Sequence, residues 1–135
     1  MDTDLLQQHV RDALLDEASP PVCAWLFGSL ARGEGHRRSD VDVAVLFGRT
    51  MPATLAGIGL DLEGRLEDRL AREVDIVVLD RAPVDLAHRV LRDGVLLFDR
   101  EPSMRVAFEV RSRREYFDLL PYLREYRGLE PYPPP

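Results

Sequence analysis

The sequence predicts an α/β protein of the α+β kind: a mixed β-sheet of about four to five strands flanked by helices. Three observations carry that expectation. Short apolar or β-branched runs occur at 22–27 (VCAWLF), 40–47 (DVDVAVLF), 74–80 (VDIVVLD) and 95–99 (VLLFD), lengths that suit strands. Apolar residues recur every three to four positions over 3–17, 54–72, 84–92 and 103–120, as amphipathic helices require. The resulting order, α-β-turn-β-α-β-α-β-α, implies a mixed sheet with helices packed on it.

Taken in order, Leu6, Val10, Ala13 and Leu14 mark the inner face of a first helix over 3–17, which Ser19-Pro20-Pro21 ends. Strand 22–27 runs into Gly28, and SLARG makes a short helical turn with Ser29 at or near its start. EGHRRS is a polar loop, and strand 40–47 follows. Leu55, Ile58, Leu62, Leu66 and Leu70 define a helix over 54–72, weakened by its three glycines. Strand 74–80 turns at Arg81-Ala82-Pro83 into a helix over 84–92, with Val84, Ala87, Val90 and Leu91 inward. Asp93-Gly94 ends that helix, and strand 95–99 follows. A helical pattern over 103–120 is interrupted at Pro121, and the chain closes in a Pro-rich tail, PYPPP.

With 135 residues, the expectation is a single domain over 1–135, its part from 103 to 135 a C-terminal helix and tail. A hydrophobic content of 45% against 31% charged residues argues against general disorder. The formal charge of -6 opposes holding nucleic acid by bulk electrostatics, so no direct nucleic-acid binding is expected. It leaves room for polyphosphate bound through metal ions, which bring their own positive charge. The single cysteine, Cys23, lies in an apolar run and reads as a buried, inert thiol. An acidic, amphipathic N-terminus and no long apolar stretch predict a cytoplasmic protein without a membrane partner.

The chemistry concentrates in FGSLARGEGHRRSDVDV, residues 27–43. On a strand, alternate side chains share a face, so Asp40 and Asp42 point the same way. Two adjacent carboxylates repel, and one divalent cation, or two about 3.5–4 Å apart, resolves the repulsion. Hard oxygen ligands suit Mg2+ or Mn2+, which take further ligands from substrate phosphates. Asp75, near the start of strand 74–80, faces the same pair if the two strands are neighbours, with Glu73 a substitute should the register shift by two. At the other end, Gly28 admits close backbone approach and the following turn presents N–H groups to phosphate, with the Ser29 hydroxyl as a further donor. Ser39 is a candidate brace for the metal loop. Arg32, Arg37 and Arg38 are candidate phosphate contacts or solvated loop residues, Arg32 equally a brace through Glu34. His36, His9 and His88 lack partners at metal spacing.

Gly28-Ser29, ten intervening residues, Asp40-x-Asp42 and a later Asp75 on a strand together resemble the signature of the DNA polymerase β-like nucleotidyltransferase superfamily. The likeness implies that the Gly28-Ser29 turn holds a nucleotide triphosphate. It implies that Asp40 and Asp42 ligate two Mg2+ ions, and that Asp75 ligates the catalytic one and activates an acceptor hydroxyl. Within the superfamily, GSLARGEG, SDVDVAVLF, VDIVVLDRAP, HRVLRDGVLLF and EVRSRREYFDLLPYLREYR are similar to the minimal nucleotidyltransferases (MNT), over most of residues 20–127. These are antitoxin partners of HEPN-domain ribonuclease toxins, so the resemblance implies transfer of AMP from ATP to a hydroxyl, a tyrosine, of a HEPN toxin. Two other readings remain: transfer to a small hydroxyl substrate such as an aminoglycoside, and neutralisation of the partner by binding alone. The four tyrosines, Tyr116, Tyr122, Tyr126 and Tyr132, form either a partner-binding surface or the packing of a C-terminal helix on its own domain.

Overall fold

The computed structural model describes residues 3–34, 40–48 and 58–126. Helix α1 (Thr3–Leu15) precedes strand β1 (Cys23–Phe27) and a single helical turn, α2 (Gly28–Ala31). Strand β2 (Val41–Leu46), helix α3 (Ile58–Leu70) and strand β3 (Val74–Val78) follow. Helix α4 (Val84–Asp93), strand β4 (Val95–Asp99) and helix α5 (Pro102–Tyr126) complete the order. The strands make one sheet in the order β3-β2-β1-β4. β1 is antiparallel to β2 and β4, while β2 and β3 are parallel. The parallel pair needs a crossover, which α3 supplies. The sheet is mixed and four-stranded, as the element order predicts.

Alternation along the strands sorts side chains onto two faces. Ala24, Leu26, Val43 and Val45 pack with Leu6, Val10 and Leu14 of α1 and with Leu62, Leu66 and Leu70 of α3. Cys23, Trp25, Ala44 and Leu46 pack on the other face with Ala87 and Val90 of α4 and Phe108 of α5. The helical periodicities predicted these inner faces, except that Ile58, Val84 and Leu91 are only half-buried. As the outermost strand, β3 would leave backbone N–H groups bare. Two carboxylates of α3 take them instead: Val74 N–H donates to Glu67 Oε2 (3.2 Å) and Ile76 N–H to Glu63 Oε1 (2.8 Å). That seals one sheet edge against unwanted pairing.

Several predicted boundaries move. Strand 74–80 stops at Val78, and Leu79–Arg81 forms a 3-10 turn. The turn serves Asp80, whose two carboxylate oxygens accept the N–H groups of Phe47 (3.0 Å) and Gly48 (2.9 Å) and so tie off the end of β2. Replacing Asp80 with alanine leaves two backbone donors without that acceptor. The expected cost is about 1–3 kcal/mol, or a fall in Tm of roughly 4–11 °C by thermal denaturation; an unchanged Tm would show that neither bond stabilises the fold. Helix α5 does not stop at Pro121 but runs through it to Tyr126. A proline removes one N–H, and the carbonyl of Phe117 thereby freed lies on a side of the helix exposed to water, so the helix tolerates the loss. Of the helix predicted over 54–72, the part from Ile58 to Leu70 is seen, and 54–57 lie outside the described residues.

Candidate active site

The C-terminal end of β1 and the N-terminal ends of β2 and β3 meet at one edge of the sheet. Phe27, the last residue of β1, pairs with Asp42. Gly28 and Ser29 therefore leave the sheet directly beside that carboxylate. On the other side of β2, the parallel register sets Asp42 against Asp75 and Val41 against Val74. Asp42 lies two residues before Ala44, whose side chain packs under α4 and α5, so its carboxylate belongs to that face of the sheet.

Gly28 has φ +75°, a left-handed conformation that side chains disfavour. A Cβ built there would overlap Oδ2 of Asp42. Glycine at this position thus serves two ends: it turns the chain into α2, and it leaves space for a carboxylate. The start of α2 has no side-chain cap, since Phe27 supplies none. Ser29 is half-buried, and its carbonyl accepts the Glu34 N–H (2.9 Å), which fixes the turn.

The electrostatics follow from crowding. Asp42 is pushed up from its ordinary 3.8 to about 6, chiefly by burial. The Asp75 and Asp40 charges and a hydrogen bond with the Asp75 side chain add to the rise, and the Arg32 guanidinium opposes it. Asp40 departs from the sequence expectation. It stands just before β2 rather than on it, and its side chain hydrogen-bonds Glu73, whose own proton affinity rises as a result. The cause is a backbone bond: Val41 N–H donates to the Glu73 carbonyl (2.9 Å), which brings Asp40 alongside Glu73. Asp42 and Asp75 are joined and Asp40 acts on Asp42 through its charge, so the three share one neighbourhood, although among the described residues no three His, Cys, Asp or Glu side chains stand as close as the ligands of one ion.

A divalent cation nonetheless fits the donor chemistry. The oxygens are hard, burial and the neighbouring Asp75 and Asp40 charges disfavour a bare carboxylate at Asp42, and Gly28 leaves the approach to Asp42 free of a side chain. Arg32 is an exposed neighbour, bridged to Glu34 at 3.1 Å, and its charge reaches both Asp42 and Asp93 at the end of α4. Ser39, with His36, Arg37 and Arg38, lies outside the described residues, as does Tyr132. Cys23 is buried, and burial with the Asp99 charge pushes its thiol up to about 12, so it is inert. Sequence reasoning missed Glu73 as the partner of Asp40, weighing it only as a substitute for Asp75. Gly94 ends α4 as the sequence predicts, and a Cβ there would meet the Val90 carbonyl at 2.5 Å and crowd the Leu26 carbonyl. A cavity of about 520 Å³ beside Leu46, Asp80, Met104 and Phe108 lies at the opposite end of β2 from Asp42. Both Asp80 oxygens there are already engaged by backbone amides.

A sheet edge that pairs a Gly-Ser turn with crowded carboxylates is the arrangement of a nucleotidyltransferase. The family model "Polymerase beta, Nucleotidyltransferase" matches residues 12–103, more than half of the chain, and the chain belongs to that family. More particularly, the chain is similar to the Protein adenylyltransferase MntA of Shewanella oneidensis, 35% identical over 74 residues. That match covers 55% of this chain and 51% of the relative, so the chain spans about half the length of the curated relative it matches. Two solved structures resemble it along most of both chains. One, described as a toxin-antitoxin with AMP-PNP, has a TM-score of 0.70 at 27% identity, over 90% of this chain and 92% of the other. The other, described as the toxin-antitoxin MntA-HepT, has a TM-score of 0.67 at 25% identity, over 93% and 92%.

Proposed function

We propose that this chain is an MNT antitoxin that transfers AMP from ATP to a hydroxyl, a tyrosine, of a cognate HEPN ribonuclease toxin, and thereby silences it. The observation that carries the reading is the Gly28-Ser29 turn set directly against the Asp42–Asp75 pair. The MntA relative named as a protein adenylyltransferase and the similar chain described with AMP-PNP support the donor and the transferred group.

In this reading, the α2 turn and the Ser29 hydroxyl hold the triphosphate. Asp42, Asp75 and Asp40 hold Mg2+, two ions in the fullest form with Mn2+ as a substitute. The bound cation supplies charge neutralisation at the α-phosphate and its leaving group. Asp75 takes the proton of the acceptor hydroxyl as its oxygen bonds to the α-phosphorus; the bond to the β-phosphate breaks and pyrophosphate leaves. Arg32, near both Asp42 and the end of α4, offsets charge as the phosphates enter.

Intact mass spectrometry of a cognate HEPN protein, after incubation with the chain, ATP and Mg2+, is expected to show additions of one or more AMP units. A folded partner that gains no mass would overturn the transfer. EDTA is expected to stop the additions, and Mn2+ to restore them in part. Additions that persist in EDTA would remove the metal from the reading. Transfer to a small hydroxyl compound has no feature of the described residues in its favour.

A further inference from the structure

Helix α5 carries more apolar surface than its own domain uses. Its inner face puts Met104, Phe108 and Ser112 against α4 and the sheet. Its outer face, roughly opposite, repeats Val106, Val110, Arg113 and Phe117 at helical spacing; Val106 and Val110 are each 46% exposed and Phe117 54%. Tyr122 beyond them is 68% exposed. A helix with a second apolar stripe facing water is built for a second contact.

What surrounds the stripe indicates what covers it. Between α4 and α5, the His88 and Tyr116 rings stack in parallel at 3.6 Å, and Phe117 meets both edge-on. A small cleft of about 140 Å³ opens there, lined by Asp85, His88, Arg89, Arg92 and Tyr116. Arg92 and Arg113 are close enough for their charges to disfavour protonation of His88, second only to its burial. Exposed arginines beside rigid aromatic rings are what protein interfaces use as anchors. In a chain of formal charge -6, Arg89, Arg92 and Arg113 outnumber Asp85 and Asp93 here, Asp93 being bridged to Arg92 at 2.8 Å, so the patch carries a small net positive charge that suits acidic groups on a partner.

The patch is also continuous with the reacting edge. Asp42 faces the α4 and α5 side of the sheet, α4 ends against the Leu26 carbonyl two residues before Gly28, and Arg32 acts on both Asp42 and Asp93. A macromolecule seated on α5 and the Arg89–Arg92 end of α4 would overhang Asp42 and Asp75.

We propose that the outer face of α5, with Arg89 and Arg92 of α4, is the docking surface for the acceptor protein, a folded partner that offers an apolar patch with an acidic rim. The proposal rests on the transfer reading above. Tyr116 then braces the surface by stacking on its own domain, and Tyr122 is exposed to meet the partner, so these two tyrosines take one each of the two expected roles.

The test compares the wild-type chain with Phe117→Asp and, separately, Arg89→Glu/Arg113→Glu, each checked for folding by circular dichroism. Calorimetry measures affinity for the cognate HEPN protein, and fluorescence measures affinity for an ATP analogue. Partner affinity is expected to fall at least about tenfold in both variants, with nucleotide affinity within about twofold. Two folded variants that bind and modify the partner as the wild type does would overturn the docking surface and leave the transfer reading intact. A wild type that binds the partner through this surface but adds no AMP would do the reverse. A lone chain that Phe117→Asp converts from dimer to monomer, with partner affinity unchanged, would assign the stripe to a second copy and refute the proposal.

Discussion

Asp42→Asn is expected to abolish AMP transfer and, at the same time, to stabilise the metal-free protein. The loss of transfer should reach roughly a thousandfold or more, about 4 kcal/mol of transition-state stabilisation, because the variant removes charge from the centre of the carboxylate group. The gain in stability follows from proton linkage. In the folded state Asp42 titrates at about 6, against an ordinary 3.8, so the folded chain holds this proton more tightly than the unfolded chain does. Its contribution is favourable at low pH, falls as pH rises between those values, and is a full penalty above the folded value. Asparagine carries no such penalty. With discount for the solvent that reaches this carboxylate, the variant should exceed the wild type by about 1 kcal/mol at pH 7.5 in EDTA, and the difference should vanish below about pH 4. Urea melts at the two pH values measure it. A variant that is less stable at both would mean that Asp42 is held by favourable contacts rather than crowded by its neighbours. Saturating Mg2+ should close the gap at pH 7.5 by stabilising only the wild type. Activity and stability oppose each other at this residue.

The same substitution separates transfer from binding alone. If Asp42→Asn still neutralises the partner fully while adding no AMP, occupancy suffices and the nucleotide site is dispensable for neutralisation. If neutralisation is lost with the AMP, transfer is the mechanism. The α5 variants probe the other side of this choice, because they are designed to spare nucleotide binding and weaken only the partner.

Much of this site was legible from local rules. Alternation and β-branched content place Val41, Val43 and Val45 inward, and a glycine between an apolar strand and a short turn marks Gly28. That Asp75 lies against Asp42 was legible only conditionally. It depends on β2 and β3 being parallel neighbours in one register, which α3 and its packing decide rather than either strand. Asp40 illustrates the limit of the period-two argument. Its spacing from Asp42 predicts a shared strand face, but the strand begins one residue later, where Val41 bonds to Glu73, and Asp40 turns to the Glu73 side chain. Glu63 and Glu67 look like the solvated face of a helix in the sequence, yet they seal the β3 edge. Such roles arise from tertiary proximity and leave no local signature. The opposite error occurs at Pro121, where a strong local rule predicts an interruption that the exposed helix absorbs.

Gly28→Val is expected to be the most damaging single change outside the carboxylates. Two costs combine at this position. A φ of +75° is unfavourable for any side chain and most of all for a β-branched one, and the Cβ itself would enter the space of Asp42 Oδ2. The backbone cost alone is about 1–3 kcal/mol. If the chain keeps its fold, the steric cost is relieved by moving either the turn or the carboxylate. Moving the turn pulls the α2 amides and Ser29 from the triphosphate; moving Asp42 breaks its pairing with Asp75. Transfer should fall at least about a hundredfold by either route, since misplacement by about 1 Å costs that much. Nucleotide affinity tells the routes apart: it weakens if the turn moves and holds if the carboxylate moves. Gly28→Ala shares the strain with less bulk, so its activity should lie between that of the valine variant and the wild type, with Tm falling in the same order. A Gly28→Ala chain with wild-type transfer and wild-type Tm would show that Asp42 yields freely, and that the close fit between the Gly-Ser turn and the carboxylate pair contributes nothing to catalysis.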